Sequence, residues 1–283
     1  MTVLLEAVSA AKKRAFIKKM NELLAMRDRM ATTAVHRAWD LLEDLRKSVA
    51  LELTSASGFD AFQLPRLRAA LDQLGKDFAA HYQADLAGRI DAAWALGSDA
   101  MAQGMQAAEM GSAPFILDTR QLEIAQGLSA DLVTKLSAET VAKISTEISR
   151  GMLGGQTMFE TMRGVTDLLG SKAAVGAKGS LKFVADGIAY RAEMISRTEM
   201  LRAYNLANYS RSQDAVQHGV AYHEWVTAGD GRVRQSHADL NGMIVKVGEE
   251  FAPGLRFPVD PMGAAEETIN CRCRVVGAFG PEG

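Results

Sequence analysis

Asn270-Cys-Arg-Cys-Arg274 closes the most informative part of the chain, its last third. Two other short stretches precede it, Asp230-Gly-Arg-Val-Arg-Gln-Ser-His237 and Phe257-Pro-Val-Asp-Pro261. Together these stretches hold both cysteines of the chain and its densest set of turn-forming and metal-ligating side chains. We therefore expect the helical sequence before them to carry or position this unit.

Composition limits the class of protein. The chain has 283 residues, of which 48% are hydrophobic and 23% charged, so it is globular and long enough for two or three domains. The net charge of -2 and the pI of about 6.2 exclude a protein driven to nucleic acid by its overall charge. A nucleic-acid contact would have to come from a local patch.

The cysteine count and the hydropathy point to a compartment. Two cysteines one residue apart cannot build a disulfide framework, which indicates a reducing environment. The sequence has no apolar run of the roughly 18 residues that a membrane span needs, and its first residues do not resemble a signal peptide. We expect a protein made and kept in a cytoplasm, or packed into something assembled there, with no membrane partner.

Periodic apolar residues predict long helices over 1–54 and 64–110, and from 184 to 218. Thr157 and Glu160 form a capping-box pattern that predicts the start of a helix ending near Leu169. Ser129 and Ser137 are expected to begin short helices of their own.

After Gly219 the sequence becomes rich in β-forming residues, and it predicts short antiparallel strands over 220–226, 242–247 and 271–276. The fold class is therefore mainly α with a small C-terminal β unit, with an elongated helical N-terminal part. The expected domains are a helical region at 1–114, a helical part at 115–218 with a flexible linker at about 171–181, a β cap at 219–277 and a tail at 278–283.

The first half of the first helix is basic. It includes a candidate contact surface for DNA or for an acidic partner, made by Lys12, Lys13, Arg14, Lys18 and Lys19. A solvated helix face balanced by acids elsewhere is the more common use of such a run, and the sequence favours it.

Cys271 and Cys273 would point to one face of the predicted strand. Two thiolates on one face can chelate a metal such as zinc if one or two further ligands arrive from elsewhere. The available donors are His237, Asp239, His223 and Asp230. The pattern lacks the second pair of cysteines found in many zinc motifs, so the thiols can instead pack as small apolar groups. Asp230, Asp260 and Asn270 lie beside Gly or Pro or before a strand, where turn formation is their usual role.

A polar strip on the long helix is the second candidate cluster, made by Arg197, Thr198, Glu199, Arg202 and Asn205. We interpret it as a buried network that holds the β cap on the helix. The alternative makes Glu199 a general base near His237.

The order of these pieces resembles the Mu F-like phage head morphogenesis family, the minor head proteins of tailed phages. The resemblance covers roughly residues 120–277 and leaves 1–114 unassigned. Its structural motif consists of Arg197, Thr198, Glu199, Arg202, Asn205, Trp225, Asp230, Arg234, Asp260, Pro261 and Asn270, together with His237, Cys271 and Cys273.

The resemblance implies a minor capsid protein of the virion, located in the head near the portal vertex. It would be incorporated into the procapsid and would act in head assembly and DNA ejection. The implied partners are the portal protein, the major capsid or scaffolding protein and double-stranded DNA, with no small-molecule substrate. Related domains also occur attached to toxin modules.

The family has no well-defined catalytic activity, so we expect a non-enzyme, with zinc as the one candidate cofactor. The alternative is a metal-dependent hydrolase or nuclease-like effector that uses His237, Cys271 and Cys273.

Overall fold

The computed structural model describes residues 8–55, 59, 61–111, 119–170 and 187–280. The helices are α1 (Ala10–Ser55), α2 (Leu64–Ala107), α3 (Thr119–Leu153), α4 (Met158–Leu169), α5 (Ile188–Ala215), α6 (Gln235–Asp239) and α7 (Ala265–Thr268), with 3-10 turns at Ala61–Gln63 and Val216–His218. The strands are β1 (Tyr222–Val226), β2 (Ile244–Lys246) and β3 (Arg274–Ala278). The predicted class, mainly α with a small C-terminal β unit, is confirmed.

The chain forms two compact units. Unit 1 consists of Met1–Thr32, Gly88–Ala125 and Arg197–Gly283, and unit 2 consists of Thr33–Ala87 and Gln126–Ser196. Helices α1, α2, α3 and α5 each contribute residues to both units. The domain boundaries predicted from the sequence stay predictions, and the linker at 171–181 lies outside the described residues.

Close approach of helices determines the packing of unit 2. A methyl group added at Gly75 of α2 would lie 2.3 Å from a side-chain methyl group of Val141 on α3, so glycine allows the two helices to approach closely here. The Ser137 hydroxyl donates a hydrogen bond to the Gly75 carbonyl oxygen at 2.7 Å. The Tyr82 hydroxyl, also on α2, donates to the carbonyl oxygen of Ala192 on α5 at 2.8 Å.

The expected helix starts at Ser129 and Ser137 are wrong, because both residues lie inside the single helix α3. The Ser129 hydroxyl donates to the carbonyl oxygen of Gln126 one turn earlier, and Ser137 donates across to α2. Neither side chain caps a helix. The capping box at Thr157 and Glu160 is confirmed, with each side chain bonded to the other residue's backbone N–H.

Unit 1 places a three-stranded antiparallel sheet, in the order β2-β1-β3, beside the ends of the long helices. The rings of Phe16 on α1 and Phe279 just after β3 meet edge to face at 5.3 Å. A methyl group at Gly277 of β3 would lie 2.6 Å from Val220 and 3.1 Å from Phe16, so the strand packs directly against these side chains.

The third strand begins later than the sequence predicts, at Arg274 rather than Cys271. Cys271 and Cys273 therefore lie in the segment that leads into β3. The ladder with β1 ends at the pair of Val226 and Arg274, so Cys271 to Cys273 pair with no strand in the described part of the chain.

His223 is buried in the middle of β1, against the ring of Tyr209 at 5.8 Å. Its Nε2 atom makes no hydrogen bond to any residue that the structure describes, and burial lowers the pKa of the imidazole to about 4.

Gly97→Ala is expected to lower the free energy of unfolding by about 1–3 kcal/mol, the usual cost of overpacking. The added methyl group would lie 2.3 Å from the carbonyl oxygen of Tyr204 in unit 1. Gly88→Ala is the matched control on the same helix, because its methyl group would meet nothing within 4 Å. The control should stabilise by about 0.5–1 kcal/mol through helix propensity. Denaturant unfolding measures both, and equal effects would contradict the close approach.

His223→Phe is expected to remove part of the acid sensitivity of the fold. The folded pKa lies below the unfolded value, so neutral His223 contributes stability above pH 6.5 that is lost as the pH falls toward 4. The full shift corresponds to about 3 kcal/mol. The slope of unfolding free energy between pH 7 and pH 4.5 should flatten in His223→Phe. The slope of the exposed control His81→Gln should match the unsubstituted protein.

Candidate metal centre

The cluster is built from two parts of the chain. His237 comes from the short helix α6, and Cys271 and Cys273 come from the segment that joins α7 to β3. All three side chains are buried, with 1%, 2% and 3% of their residue surface exposed, respectively. Burial of this degree keeps the donors away from bulk solvent.

The donor atoms converge on one point. Nδ1 of His237 lies 3.5 Å from Sγ of Cys271 and 3.5 Å from Sγ of Cys273, and the three ligand atoms lie within 4.8 Å of one another. Among the residues that the structure describes, this is the one group of His, Cys and acidic side chains close enough to hold a metal ion. The arrangement suits a soft divalent ion such as zinc.

The other face of His237 meets an acid. Nε2 of His237 lies 2.9 Å from Oε2 of Glu267 on α7. Glu267 also accepts a hydrogen bond from the Ser236 hydroxyl at 2.8 Å. The rings of Trp225 and His237 pack in a T-shaped arrangement with their centroids 5.2 Å apart. The orientation of the imidazole is therefore fixed from several sides.

The two thiols perturb each other. The hydrogen bond from Cys271 lowers the pKa of Cys273, and His237 and Trp225 add to this effect while burial opposes it. The same hydrogen bond, together with burial, raises the pKa of Cys271. The backbone N–H of Cys273 also donates to Sγ of Cys271 at 3.4 Å. The pair is thus arranged to share a proton or to bind a cation.

The segment that carries the thiols is held by α5. Asn270 adopts a left-handed backbone with φ of 60°, a conformation that asparagine tolerates better than most residues. Its side-chain oxygen accepts a hydrogen bond from Nη1 of Arg197 at 2.5 Å, and its backbone N–H donates to the Thr198 hydroxyl at 2.9 Å. The polar strip of α5 therefore contacts the cysteine segment directly, through Asn270.

A buried arginine holds the same segment from another helix. Arg27 of α1 is 1% exposed, and its Nη1 donates to the carbonyl oxygen of Cys273 at 3.2 Å. Its Nη2 donates to the carbonyl oxygen of Arg272 at 3.3 Å and pairs with Asp28 at 2.7 Å. The guanidinium lies over the ring of Tyr204, 5.6 Å from its centroid. These contacts satisfy carbonyl groups that have no strand beside them.

Comparison with known proteins finds one family model that matches part of the chain. Residues 142–276 match the model of the family described as Phage Mu protein F like protein. This part of the chain belongs to that family. The membership indicates a phage head morphogenesis protein and a component of the virion.

Among curated proteins, the chain is similar to the NAD(+)–arginine ADP-ribosyltransferase EFV of Enterococcus faecalis, with 33% identity over 98 residues. The match covers 31% of this chain and 19% of that protein, so the chain spans about a fifth of its length. No solved structure matches the chain.

Within the described residues, the helices are too short or too polar to cross a membrane.

Most of the remaining motif residues of the Mu F-like region form contacts that close turns or join segments. The Arg272 guanidinium binds the Asp230 carboxylate through both oxygens, at 2.5 and 2.6 Å, and holds the pKa of Asp230 well below its usual range. Arg234 donates to the carbonyl oxygen of Ile269. The buried carboxylate of Asp260 accepts from Arg256 and from the backbone N–H of Met262, in a turn that includes the exposed Pro261.

Glu199 lies outside the donor cluster. It pairs with Arg202 at 2.5 Å, and burial raises the pKa of its carboxyl while Arg202 opposes the shift. Asn205 donates from its side chain to the carbonyl oxygen of Pro258 at 2.9 Å. The strip therefore supports the turns of the β cap, and the geometry does not bring Glu199 into the cluster as a base.

Sequence reasoning missed Arg27, Glu267 and Arg256. Arg27 lies 245 residues before its acceptor Arg272, and no local pattern marks it among the other basic residues of α1. One feature of the sequence could have indicated Glu267, since it is an acidic residue four positions before Cys271. However, acidic residues are common at the start of any short helix.

Arg27→Met is expected to lower the free energy of unfolding by about 3 kcal/mol, because two buried carbonyl groups lose a charged donor. Arg29→Met, an exposed change on the same helix, should stay within about 0.5 kcal/mol. Denaturant unfolding measures both. A loss in Arg27→Met no larger than in the control would show that the carbonyl contacts contribute little.

Proposed function

We propose that this protein is a minor head protein of a tailed bacteriophage that binds at the portal vertex and acts in head assembly and DNA ejection. The observation that carries the proposal is the match of residues 142–276 to the Mu F-like family. The contacts in the described part of that region support it, because they are those of a rigid structural module. Its partners would be the portal protein and the major capsid or scaffolding protein.

A second candidate function is a metal-dependent hydrolase or nuclease-like effector centred on His237, Cys271 and Cys273. The convergence of three metal-ligating atoms favours it. However, a catalytic zinc needs a coordination position that substrate and water can reach. The three donors are at most 3% exposed, so we prefer a structural role for the cluster.

The similarity to an ADP-ribosyltransferase supports a shared module rather than a shared activity. The chain matches only 19% of that protein. A phage head module joined to an effector enzyme would give such a short match, and we do not extend the transferase activity to this chain.

The basic part of α1 is the proposed contact with packaged DNA or with an acidic portal surface. Three of its five basic side chains already have partners within unit 1. Lys12 donates to the carbonyl oxygen of Glu109 at 3.0 Å, Lys13 lies over the Phe279 ring and Lys19 pairs with Glu22 at 3.7 Å. Arg14 and Lys18 are exposed, and they line a surface depression with Ile17, Asn21 and Glu22. This narrows the proposed contact to Arg14 and Lys18.

Arg14→Glu with Lys18→Glu is expected to reduce the number of copies incorporated into heads and to weaken DNA or portal binding severalfold, because the local field changes sign. Copies per particle can be measured by quantitative mass spectrometry of purified heads. Binding to the portal protein of the same phage and to duplex DNA can be measured at two salt concentrations, since phosphate contacts weaken steeply with salt.

The matched control is Lys76→Glu with Lys135→Glu, two exposed charge reversals in unit 2. Normal incorporation and unchanged binding in the Arg14 and Lys18 variant would reduce the basic run to a solvated helix face. Absence of the unsubstituted protein from purified heads would overturn the proposed function itself.

A further inference from the structure

The spacing between the His237 nitrogen and the two cysteine sulfurs matches that of ligands around one metal ion. For Zn–S bonds of about 2.3 Å, a Zn–N bond of about 2.0 Å and a tetrahedral angle of about 109°, the distance between sulfur and nitrogen is about 3.5 Å. The two measured distances from Nδ1 of His237 to the cysteine sulfurs are both 3.5 Å. These two distances therefore match two edges of the ligand tetrahedron that would surround a zinc ion.

The charge balance also suits a buried ion. Two thiolates and one neutral imidazole around a divalent cation give a cluster with no net charge, which is the form of a metal site that burial penalises least. Cys271 and Cys273 are 2% and 3% exposed, so two thiolates without a cation would carry a large desolvation cost.

The surroundings of His237 match those of a metal ligand. In metal sites the ring nitrogen away from the ion meets a carboxylate or a carbonyl group, which fixes the ring. Here Nδ1 faces the sulfurs while Nε2 lies 2.9 Å from Oε2 of Glu267, and Ser236 holds that carboxylate. The backbone N–H of Cys273 also donates to the Cys271 sulfur at 3.4 Å.

We propose that His237, Cys271 and Cys273 bind one zinc ion and that Glu267 orients the histidine. The ion would join α6 to the segment between α7 and β3, two parts of the chain that lie 34 residues apart at His237 and Cys271. Within the described residues the cluster contains three protein donors. Because the site is closed to substrate, its role is to stabilise the β cap.

The test uses the full chain purified under a non-chelating reductant, with metal content determined by mass spectrometry and zinc affinity by competition with a chromophoric chelator. We expect one zinc per chain, and loss of stoichiometric binding in Cys271→Ser and in Cys273→Ser. Loading with Co²⁺ should give thiolate-to-metal charge-transfer absorption that both serine variants lack. Removal of zinc should lower the melting temperature of the unsubstituted protein.

Glu267→Gln keeps all three ligands. It therefore tests the proposal even if the cysteine variants fail to fold. It is expected to weaken zinc binding by about 10- to 100-fold while retaining one zinc per chain at saturation. Glu266→Gln, an exposed neighbour on the same helix, should leave the affinity unchanged.

Three outcomes would overturn the proposal: a chain that binds no zinc at micromolar concentration, zinc retained in both serine variants, or equal affinities in Glu267→Gln and Glu266→Gln. These measurements need no phage particle, so they stand apart from the test of the head function.

Discussion

The segment from Cys271 to Cys273 must satisfy both its carbonyl groups and its thiols without a neighbouring strand, and the rest of the β cap depends on how it does so. Its carbonyl groups accept hydrogen bonds from the buried Arg27, and its thiols turn toward His237 on the other side. A backbone in this position that lacked either set of partners would carry unpaired polar groups in a dry environment, each costing about 1–3 kcal/mol. The segment then passes directly into β3, so its position also determines where the sheet begins.

The same constraint explains why motif residues so distant in sequence occur together. Arg197 and Thr198 reach the cysteine segment through Asn270, whose left-handed backbone needs support from outside its own turn. Arg272 then takes up Asp230 in the turn after β1. Each side chain satisfies a polar group in a different segment, so the network is complete only when all of them are present. A set of this kind forms a recognisable pattern in sequence even though no single member is informative.

The sequence predicts well whatever depends on neighbouring residues. Helical periodicity correctly indicated α1 and α2, and the capping box at Thr157 needed only two residues three positions apart. The prediction failed where a distant partner decides the outcome. Ser137 has the chemistry of a helix cap, but its hydroxyl is used by a carbonyl group on α2. The cysteines have the alternation of a strand, but the ladder with β1 stops at Arg274. The role of Arg27 could not be predicted for the same reason, because its hydrogen-bond acceptors come near it only when the chain folds.

The residues that match the family model do not have the same boundaries as either compact unit. Residues 142–276 match the family, yet unit 1 combines the end of that region with Met1–Thr32 and with part of α2. Arg27, which lies outside the match, is buried and donates hydrogen bonds to the carbonyl oxygens of Arg272 and Cys273 within it. The Mu F-like region of this chain therefore completes its core with helices that the family does not define. The basic part of α1 therefore belongs to the same compact unit as the cysteine cluster and the β cap.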